Sequence, residues 1–596
     1  MGRTLLDVRR YRNNSADTMT DISTLCDLID FGLTHNSGIV SSTKRKGTWT
    51  DMDVATFRER MDACAAGFYS LGIRKGDRVA LHSENSTEWL IADQALLSLG
   101  AVSVPIYTTQ PEGQILHIVR DAGVHGYIVS SQELYDRCPS EMMVNSDLKW
   151  VMGILGKYTD DMFTMEDLIE RGRKQLSETP DLLNETRSAV SSDDLATLCY
   201  TSGTTGQPKG VMLTHGNLTT NALALAERLP FDVPARVLSF LPLSHSLERV
   251  ASTFYLSQSC PIYFIETTDE LMEDMQHVRP AHMTTVPRLL EKVHAGIMTK
   301  AVAEKGIPGL IARWAFGRAE RFDLENPSSG LQDKLADKLV YSKVRNTLFG
   351  GNLQALTSGG AALSTQVQAF INGLGIYCGQ GYGLTETSPV ITLYERKKLR
   401  PGSVGTAIRD VEVKIAEDGE ILTRGPHIMR GYYNMPEETA ETITDDGWLH
   451  TGDIGKLDED GHLYITDRKK QLFKLSTGKY IAPVPIEVKL ASDALIEHAV
   501  VIGPDFKFCA ALIVVDAAYV ENAYGSEPDV KILNNAVQTV IDKVNENLPP
   551  WEQVKKFHLI LDPFTIDTGE LTPTLKVRRK NVFAKYQKEI DGLYSS

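Results

Sequence analysis

The sequence is poor in the features that mark secreted, zinc-binding and membrane-spanning proteins. Its seven cysteines are an odd number, lie far apart in 596 residues, and include no Cys-x-x-Cys pair. This pattern argues against a disulfide framework or a zinc site and favours a reducing compartment, the cytoplasm. No run reaches the ~18 apolar residues of a membrane span, and the first residues lack a signal-peptide core. We therefore expect any membrane contact to be peripheral, at the inner face of the membrane.

Positive charge is also in short supply. The chain has 62 Lys and Arg against 77 Asp and Glu, which gives a net charge of −15. Such an acidic chain is a poor nucleic-acid binder and has no general attraction to anionic lipid. Hydrophobic residues make up 42% of the chain, which is typical of a globular protein with a large core. We expect no nucleic-acid partner, and a homodimer stays open.

Apolar, β-branched runs alternate with helical patterns along most of the chain. Segments 78–85 and 101–107 are predicted strands, and 86–100 between them is a predicted helix with Ser86 as N-cap and Gly100 as C-cap. Strands interleaved with helices predict parallel sheets covered by helices. The predicted fold class is therefore α/β, with a large N-terminal domain of helix-covered sheets.

The pattern changes toward the C-terminus. Short strands and turns follow from about residue 405, which predicts a β-barrel-like subdomain, and a compact α+β segment follows residue 470. The charged run 466–471 separates them. We predict an N-terminal domain of residues 1–468 and a small C-terminal domain of residues 469–596.

Residues 290–350 are predicted to form amphipathic helices with basic edges. One interpretation is that these helices simply pack on the core. The other is a helical insert around an apolar substrate or at a membrane surface. The sequence leaves both open.

The segment 200–210, "YTSGTTGQPKG", is dense in glycine, hydroxyls and one lysine. It is not a P-loop, because Gln207 and Pro208 separate Gly206 from Lys209. Strand-like runs flank it on both sides, so it joins two strands. Backbone N–H groups, hydroxyls and Lys209 are suited to hold phosphate. The alternative is a generic polar turn.

Four other segments contribute candidate residues. The segment "GQGYGLTETSP" is predicted to be a glycine-flanked loop. In it Tyr382 offers an aromatic face, Thr385 a hydroxyl and Glu386 a carboxylate for Mg²⁺, types that an ATP site needs. The small-residue loop "TSGGAAL" could lie against a flat ring. In "GWLHTGDIG", Asp453 between glycines could accept from ribose hydroxyls, or it is an Asx-turn residue. In "LTPTLKVRRK", Lys576 by itself is interpreted as a solvated charge.

Taken together and in order, these motifs resemble those of the adenylate-forming enzymes, which include acyl-CoA synthetases, peptide-synthetase adenylation domains and luciferases. The resemblance covers roughly residues 45 to 580. Within this superfamily the chain is most similar to the long-chain fatty acyl-CoA synthetases, on "LPLSHSLER", "VPRLLEKVHAGI" and the helical segment to residue 350.

The resemblance implies a fatty acid-CoA ligase that uses ATP, Mg²⁺ and CoA in two steps. A medium- or long-chain carboxylate attacks the α-phosphorus to give acyl-AMP and pyrophosphate, and the CoA thiol then displaces AMP. It implies that Lys576 bridges carboxylate and α-phosphate, that Thr385 contacts the α-phosphate, that Glu386 holds Mg²⁺, and that His245 lies near the reacting carboxylate. The implied nucleotide-binding residues are Thr201, Ser202, Gly203, Thr204, Thr205 and Lys209 for the phosphates, Gly359, Gly360, Ala361, Tyr382 and Gly383 around adenine, and Asp453 with Arg468 at the ribose.

The resemblance also implies that the C-terminal domain swings between the two steps, with its hinge at Lys470. In the first orientation Lys576 enters the site. In the second, a loop that contains Ser476, Thr477, Gly478 and Lys479 lines the CoA tunnel. The sequence departs from the long-chain pattern at Lys479 and Val484, where glutamate is expected, and this leaves the CoA-side contacts open.

Two alternatives stay beside this interpretation. One is a fatty-acyl-AMP ligase that loads a carrier protein or another non-CoA acceptor. Such ligases usually carry an insertion between their domains, and residues 466–475 contain none. The other is a non-enzymatic relative, against which the joint presence of Lys209, Glu386, Asp453 and Lys576 argues. The preferred acyl chain length stays open.

Overall fold

The structure is a computed structural model that describes residues 22–142, 144, 147–201, 207–228, 231–327, 330–395 and 398–595. Its strands, in chain order, are β1 Ile39–Arg45, β2 Thr48–Asp53, β3 Arg78–His82, β4 Val102–Ile106, β5 Gly126–Val129, β6 Trp150–Gly153, β7 Phe163–Thr164, β8 Leu195–Thr201, β9 Lys209–Thr214, β10 Val237–Ser239, β11 Ile262–Phe264, β12 His282–Thr285, β13 Ala355–Ser358, β14 Tyr377–Gly383, β15 Val390–Leu393, β16 Thr406–Ala407, β17 Glu412–Ile415, β18 Glu420–Arg424, β19 Gly431–Tyr432, β20 Leu449–Leu457, β21 Leu463–Arg468, β22 Phe473–Lys474, β23 Tyr480–Ile481, β24 Ile496–Ile502, β25 Cys509–Val515 and β26 Val554–Ile560.

The α-helices are α1 Leu25–Thr34, α2 Val54–Ser70, α3 Thr87–Leu97, α4 Glu112–Ala122, α5 Gln132–Asp136, α6 Met165–Glu178, α7 Leu182–Ser188, α8 His215–Arg228, α9 Ser246–Ser257, α10 Leu271–Val278, α11 Pro287–Ala303, α12 Gly306–Ala319, α13 Leu331–Ala336, α14 Ser342–Phe349, α15 Thr365–Gly373, α16 Pro436–Thr442, α17 Pro483–Ala491, α18 Ala517–Tyr524, α19 Val530–Asn545, α20 Arg579–Lys585 and α21 Gln587–Tyr594. Short 3₁₀ turns lie at Ser140–Met142, Thr268–Glu270 and Thr385–Thr387, and a π-helical turn at Asp337–Tyr341 joins α13 to α14.

Two large sheets form the N-terminal part of the described chain. One has the strand order β19-β9-β8-β4-β3-β5-β6-β7 and the other β16-β15-β14-β13-β12-β10-β11-β1-β2. Neighbours from β8 to β7 in the first sheet and from β14 to β1 in the second run parallel, and antiparallel strands lie outside them. The prediction of parallel sheets with helical connections is confirmed.

The predicted strand–helix–strand unit after residue 78 is present with shifted ends. Ser86 is the N-cap of α3 and accepts from the backbone N–H of Trp89 at 3.1 Å, as predicted. The helix ends earlier than predicted, with Ser98 as its C-cap, and Gly100 lies beyond it at φ +66. Every residue of α3 except Glu88 is buried, and the helix contributes Trp89, Leu90 and Ile91 to the largest core cluster.

The predicted strands on both sides of the 200–210 segment are β8 and β9. They pair antiparallel, with Thr201 opposite Lys209, so the segment closes a hairpin. Helix α8 starts only after β9. The prediction that this segment joins two strands is confirmed.

The last third contains three further sheets. Strands β17, β18, β20 and β21 form an antiparallel four-stranded sheet in the region predicted to be β-barrel-like. Strands β22 and β23 form a hairpin, and β24, β25 and β26 form the sheet of a small α+β unit. Helices α17 to α21 accompany this sheet, and it has its own buried clusters around Ile513 and Leu512.

The segment predicted to be amphipathic helices contains α11 to α14. Their apolar faces contribute Leu290, Phe316 and Tyr341 to a core cluster that also includes β12 and β13 residues. In the part of the chain that the structure describes, no helix is both long enough and apolar enough to cross a membrane.

Candidate active site

A cavity of about 1530 Å³ lies between the N-terminal sheets and the small C-terminal unit. Twelve of the residues predicted for the site line it: Thr201, His245, Gly359, Gly360, Ala361, Tyr382, Gly383, Thr385, Glu386, Asp453, Arg468 and Lys576. These residues come from seven separate stretches of sequence. The volume exceeds the 300–1,000 Å³ usual for one small ligand, so the cavity has room for more than one reactant.

The carboxylate of Asp453 is held between two other predicted residues. Asp453 and Arg468 are opposite each other in the β20–β21 pair, and Arg468 Nε lies 3.1 Å from Asp453 Oδ1. The hydroxyl of Tyr382 donates to Asp453 Oδ2 at 2.7 Å, and the Thr451 hydroxyl accepts from the Asp453 N–H. Asp453 is therefore fixed inside a strand, whereas the sequence placed it in a turn. The turn-like signal came from Gly452, which has φ +70 immediately before it.

Tyr382 and Glu386 come from a strand end and the turn that follows it. The predicted glycine-flanked loop is strand β14 up to Gly383, followed by the 3₁₀ turn of Thr385–Thr387. A Cβ at Gly383 would lie 1.7 Å from the carbonyl oxygen of Pro389, so only glycine permits this close approach of the backbone. The strand therefore presents Tyr382, Thr385 and Glu386 to the cavity within five residues.

Glu386 is linked to the β8–β9 hairpin through Tyr432. The Tyr432 hydroxyl donates to Glu386 Oε1 at 2.9 Å, and the Lys209 ammonium lies 5.1 Å from the centre of the Tyr432 ring. Strand β19 brings Tyr432 here by pairing with Val211 of β9. Burial and the neighbouring Glu386 carboxylate raise the pKa of Tyr432, so it stays a neutral donor.

His245 is the N-cap of α9 and lines the cavity. Its Nδ1 accepts from the backbone N–H of Leu247 at 3.2 Å, so the neutral ring carries its proton on Nε2. Burial, and to a smaller extent the charge of Lys576, lower the pKa of His245 to about 4. At neutral pH the ring is therefore an uncharged hydrogen-bond donor.

Lys576 lies on a tight turn of the C-terminal unit that faces the cavity. The Thr572 hydroxyl accepts from the Lys576 N–H at 3.0 Å, and Leu575 before it has φ +58. Lys576 is solvent-accessible in this turn and lines the cavity. Burial, then Arg468, lower the pKa of Lys576, while the carboxylates of Asp453 and Glu386 act in the opposite direction. Lys576 is therefore within electrostatic range of three other predicted site residues.

Contacts between the two parts of the molecule hold this turn in place. Thr109 Oγ1, after β4, donates to the carbonyl of Pro573 at 2.9 Å. On another side, Arg288 of α11 donates to the carbonyls of Ala491 and Ile496 at 3.3 Å and lies 3.5 Å from Asp516. These contacts fix the small unit in the orientation that presents Lys576.

A buried acid–base group lies on the seam between the two parts. Arg579 binds Glu487, whose Oε1 also accepts from the Val501 N–H at 2.6 Å. Asp467 of β21 is buried beside them, and its Oδ2 contacts no hydrogen-bond partner among the described residues. Burial raises the pKa of Asp467 to about 6. The seam therefore contains a carboxyl group that titrates close to neutral pH.

Other predicted residues lie away from the cavity or outside the described chain. Lys470 is exposed in the turn after β21. Ser476, Thr477, Gly478 and Lys479 form an exposed turn between β22 and β23, and Lys479 Nζ lies 4.7 Å from the centre of the Trp551 ring. Ser202, Gly203, Thr204 and Thr205 lie outside the described residues. Val484, by contrast, lines the cavity from α17, so one of the two departures from the family pattern lies at the site.

The sequence analysis missed the residues that support the site. Tyr432, Thr451 and Thr109 hold Glu386, Asp453 and the Lys576 turn. Gln380 was also missed: its side chain accepts from the Leu363 N–H at 2.9 Å and fixes the 359–363 loop. For Tyr432, Thr109 and Gln380 the local sequence carries no signal, because each acts on a residue brought close by tertiary packing; Thr451 instead acts on Asp453 two residues away.

The chain belongs to the AMP-binding enzyme family. The family model for AMP-binding enzymes matches residues 38–433, and the model for the AMP-binding enzyme C-terminal domain matches residues 470–596. The resemblance and the fold class predicted from the motifs are thereby confirmed.

Among its relatives is the long-chain-fatty-acid–CoA ligase FadD15 of Mycobacterium bovis, which is 35% identical over 92% of this chain and 93% of that protein. The long-chain-fatty-acid–[acyl-carrier-protein] ligase AEE15 of Arabidopsis thaliana is 29% identical over 89% of this chain and 81% of that protein. A solved structure with the same fold is the adenylation domain of a carboxylate reductase from Mycobacterium chelonae. Its TM-score is 0.75 at 22% identity, over 99% of this chain and 93% of that one.

Proposed function

We propose that this protein activates long-chain fatty acids with ATP and transfers the acyl group to CoA through an acyl-AMP intermediate. The observation that carries the proposal is the single cavity lined by Lys576, Glu386, Asp453 and His245, with room for more than one reactant. The relatives that act as long-chain-fatty-acid–CoA ligases support the substrate class.

The nucleotide would lie along the edge formed by β13, β14 and β20. Asp453, held by Arg468 and Tyr382, has two carboxylate oxygens to accept from ribose hydroxyls. Gly359, Gly360, Ala361, Tyr382 and Gly383 would surround the adenine, and Thr201 with Lys209 would contact the phosphates that leave. Because Ser202, Gly203, Thr204 and Thr205 belong to the same hairpin loop, we include them in the phosphate site.

In the first step the fatty acid carboxylate oxygen attacks the α-phosphorus, and the bond to pyrophosphate breaks. Both reactants are anionic, so the step needs fixed positive charge and alignment. Lys576 would bridge the carboxylate and an α-phosphate oxygen, with Thr385 on the other side. Neutral His245 would donate through Nε2 to the reacting carboxylate without adding a charge.

A magnesium ion fits the residues at Glu386. Mg²⁺ typically binds one or two carboxylates plus substrate phosphates and water. No cluster of three or more His, Cys, Asp or Glu in the described residues offers a closed metal cage. Glu386, oriented by Tyr432, would hold the ion. When bound, it would neutralise phosphate charge.

In the second step the CoA sulfur attacks the acyl carbon and AMP leaves. We propose that residues 469–596 rotate about Lys470 for this step, since exposed turns of this kind absorb the backbone changes of a hinge. Ser476, Thr477, Gly478 and Lys479 would then face the cavity in place of Lys576. The proposed domains are residues 1–468 and 469–596.

The discriminating experiment is pyrophosphate release with a panel of carboxylic acids, with and without CoA. We expect acyl-AMP and pyrophosphate without CoA, and pyrophosphate, AMP and acyl-CoA when CoA is present. Release of ADP and phosphate would overturn the proposal. Accumulation of acyl-AMP that is not converted to acyl-CoA when CoA is added would favour the alternative, a ligase that loads a carrier protein. The carrier-protein ligase among the relatives supports this alternative.

We also propose a cytoplasmic location, supported by seven dispersed cysteines that are all free thiols. A homodimer remains a prediction. Size-exclusion chromatography with light scattering measures it directly.

A further inference from the structure

Large apolar side chains are exposed in a concentrated stretch of the helical segment. Six of them define what we call the helical patch: Ile307, Leu310, Trp314, Leu331, Leu335 and Leu339. Leu331 is 86% exposed and Ile307 72%. Single exposed apolar residues need no explanation, but six within 33 residues on neighbouring helices do.

The patch follows helical periodicity, so it is a face. Ile307, Leu310 and Trp314 are spaced i, i+3, i+7 on α12, whereas Phe316 and Ala319 of the same helix are buried in the core. Leu331, Leu335 and Leu339 are spaced i, i+4, i+8 along α13 and the π-helical turn. Ala336 and Val340 there are buried. Both elements therefore have a second apolar side that the described fold leaves uncovered.

The net charge of this segment is positive, whereas that of the whole protein is negative. Residues 300–345 contain nine Lys and Arg against six Asp and Glu, although the chain carries −15 overall. Lys334 and Lys338 lie on the same side of the helix as the patch leucines, since their spacing from Leu331 is i+3 and i+7. Exposed lysines in this segment form no ion pair with a described residue: Lys300, Lys305, Lys334, Lys338 and Lys343. Apolar side chains flanked by unpaired lysines are the composition of a helix that lies in a lipid interface.

Polar contacts hold the patch in shape. Arg318 of α12 donates from Nε to Asp333 of α13 at 3.0 Å and from Nη1 to Gln332 at 2.7 Å. Arg313 donates to the carbonyl of Ala301 at 3.0 Å, which ties α12 to the end of α11. These contacts hold α12 against α13 and against the end of α11.

We propose that the helical patch docks on the surface of an anionic lipid bilayer. The unpaired lysines complement negative headgroups, and the apolar side chains would enter the interface. A second copy of this chain fits less well. In a two-fold dimer the same patch faces itself, which would bring Lys334 and Lys338 against their own copies.

The same helices connect the patch to the cavity. Met298 and Thr299 of α11 and Glu320 after α12 line the cavity. If the proposed function holds, docking would place the cavity wall beside the bilayer where long-chain acids reside. The docking itself is independent of that reaction and is measured without it.

The test is flotation of the full chain with vesicles of phosphatidylcholine and phosphatidylglycerol in equal parts, or of phosphatidylcholine alone. We expect flotation with the anionic vesicles and little with the neutral ones. Leu310→Gln with Leu335→Gln should lower the bound fraction roughly tenfold by removing apolar area. Lys334→Glu with Lys338→Glu should lower it by about as much or more, since each cation near the surface contributes about 1 kcal/mol.

Two matched double variants serve as controls. Leu457→Gln with Leu561→Gln removes exposed apolar side chains elsewhere, and Arg171→Glu with Lys174→Glu reverses exposed charges on α6. Both should float like the wild type. The proposal is overturned if the wild type does not bind anionic vesicles, or if the controls lose as much binding as the patch variants.

A further outcome concerns self-association. If the wild type is a dimer that Leu310→Gln with Leu335→Gln converts to a monomer, the patch covers a second copy and the bilayer proposal is wrong. Release of pyrophosphate from ATP, with a water-soluble, medium-chain acid as the substrate, is measured in parallel. It should be the same in all variants. A protein that floats but releases none would leave docking standing and overturn the proposed function alone.

Discussion

Two turns of the small C-terminal unit were predicted to serve the same reaction, but they have different positions relative to the cavity. The 572–576 turn is fixed against the N-terminal part through Thr109 and places Lys576 at the cavity. The 476–479 turn is exposed and lies away from the cavity residues. The same small unit carries both turns, and under the proposed rotation presenting one would withdraw the other.

This difference separates the two proposed half-reactions in space. The described orientation suits acyl-AMP formation, because its cation is already among the carboxylates of Asp453 and Glu386. Thioester formation would need the unit to rotate. Changes in one turn should therefore affect one half-reaction and leave the other.

Lys576→Ala should have the largest effect. Removing the one cation that the turn supplies should slow pyrophosphate release on the order of 10²- to 10³-fold, the range for losing one stabilising group in a closed site. Conversion of synthetic acyl-AMP to acyl-CoA should stay within about threefold of wild type, since the proposed rotation would remove the turn from the site before this step. Lys580→Ala, an exposed cation nearby, is the control. Equal losses in both half-reactions would contradict the assigned role.

Gly478→Ala should affect the other half-reaction. Gly478 has φ +87 with open space around it, so alanine adds backbone strain without a clash. Strain of roughly 1–2 kcal/mol in this turn should slow thioester formation from supplied acyl-AMP about tenfold. Pyrophosphate release should be unchanged. Gly525→Ala is a matched control, because Gly525 has φ +88 and open space but no predicted role. If both variants slowed thioester formation alike, the effect would come from stability and not from the turn's role.

Thr109→Val should shift the balance between the orientations by a smaller amount. The substitution keeps the shape and removes the bond to the Pro573 carbonyl, worth about 1 kcal/mol. We expect pyrophosphate release to fall about fivefold, with thioester formation from acyl-AMP unchanged or faster. Thr56→Val, a surface threonine distant in sequence from both turns, is the comparison. A Thr109→Val enzyme with wild-type pyrophosphate release would show that this contact does not hold the turn.

The smallest expected effect is that of His245→Asn on the pH dependence of pyrophosphate release. Its pKa is lowered to about 4, so it has already lost its proton by pH 6. Between about pH 6 and 8 the rate of pyrophosphate release should vary with the same shape in wild type and His245→Asn, although the variant is slower. The wild-type rate should fall through His245 protonation only near pH 4. A wild-type inflection near pH 6.5 that is lost in the variant would contradict the neutral ring.

Much of the site was predictable because its residues lie in dense local motifs. Twelve predicted residues meet at one cavity, and the hairpin around the 200–210 segment follows from strand-like runs on both sides. Asp453 and Tyr382 were predicted as site residues but on loops, since glycine neighbours look like turns in a sequence. In the sheet those glycines permit close backbone approach, as at Gly383.

The sequence by itself determined which residue types are neighbours along the chain. These local patterns were enough to identify the motifs, helix starts such as Ser86, and the family. Tertiary structure alone decided which partners hold them. Tyr432 reaches Glu386 because β19 pairs with β9 across more than 200 residues of sequence, and Thr109 meets Pro573 across 464. It also decided that Lys576 and not the 476–479 turn faces the cavity. Local propensity acts over a few residues, whereas these contacts depend on how whole elements pack, and no short stretch of sequence specifies that.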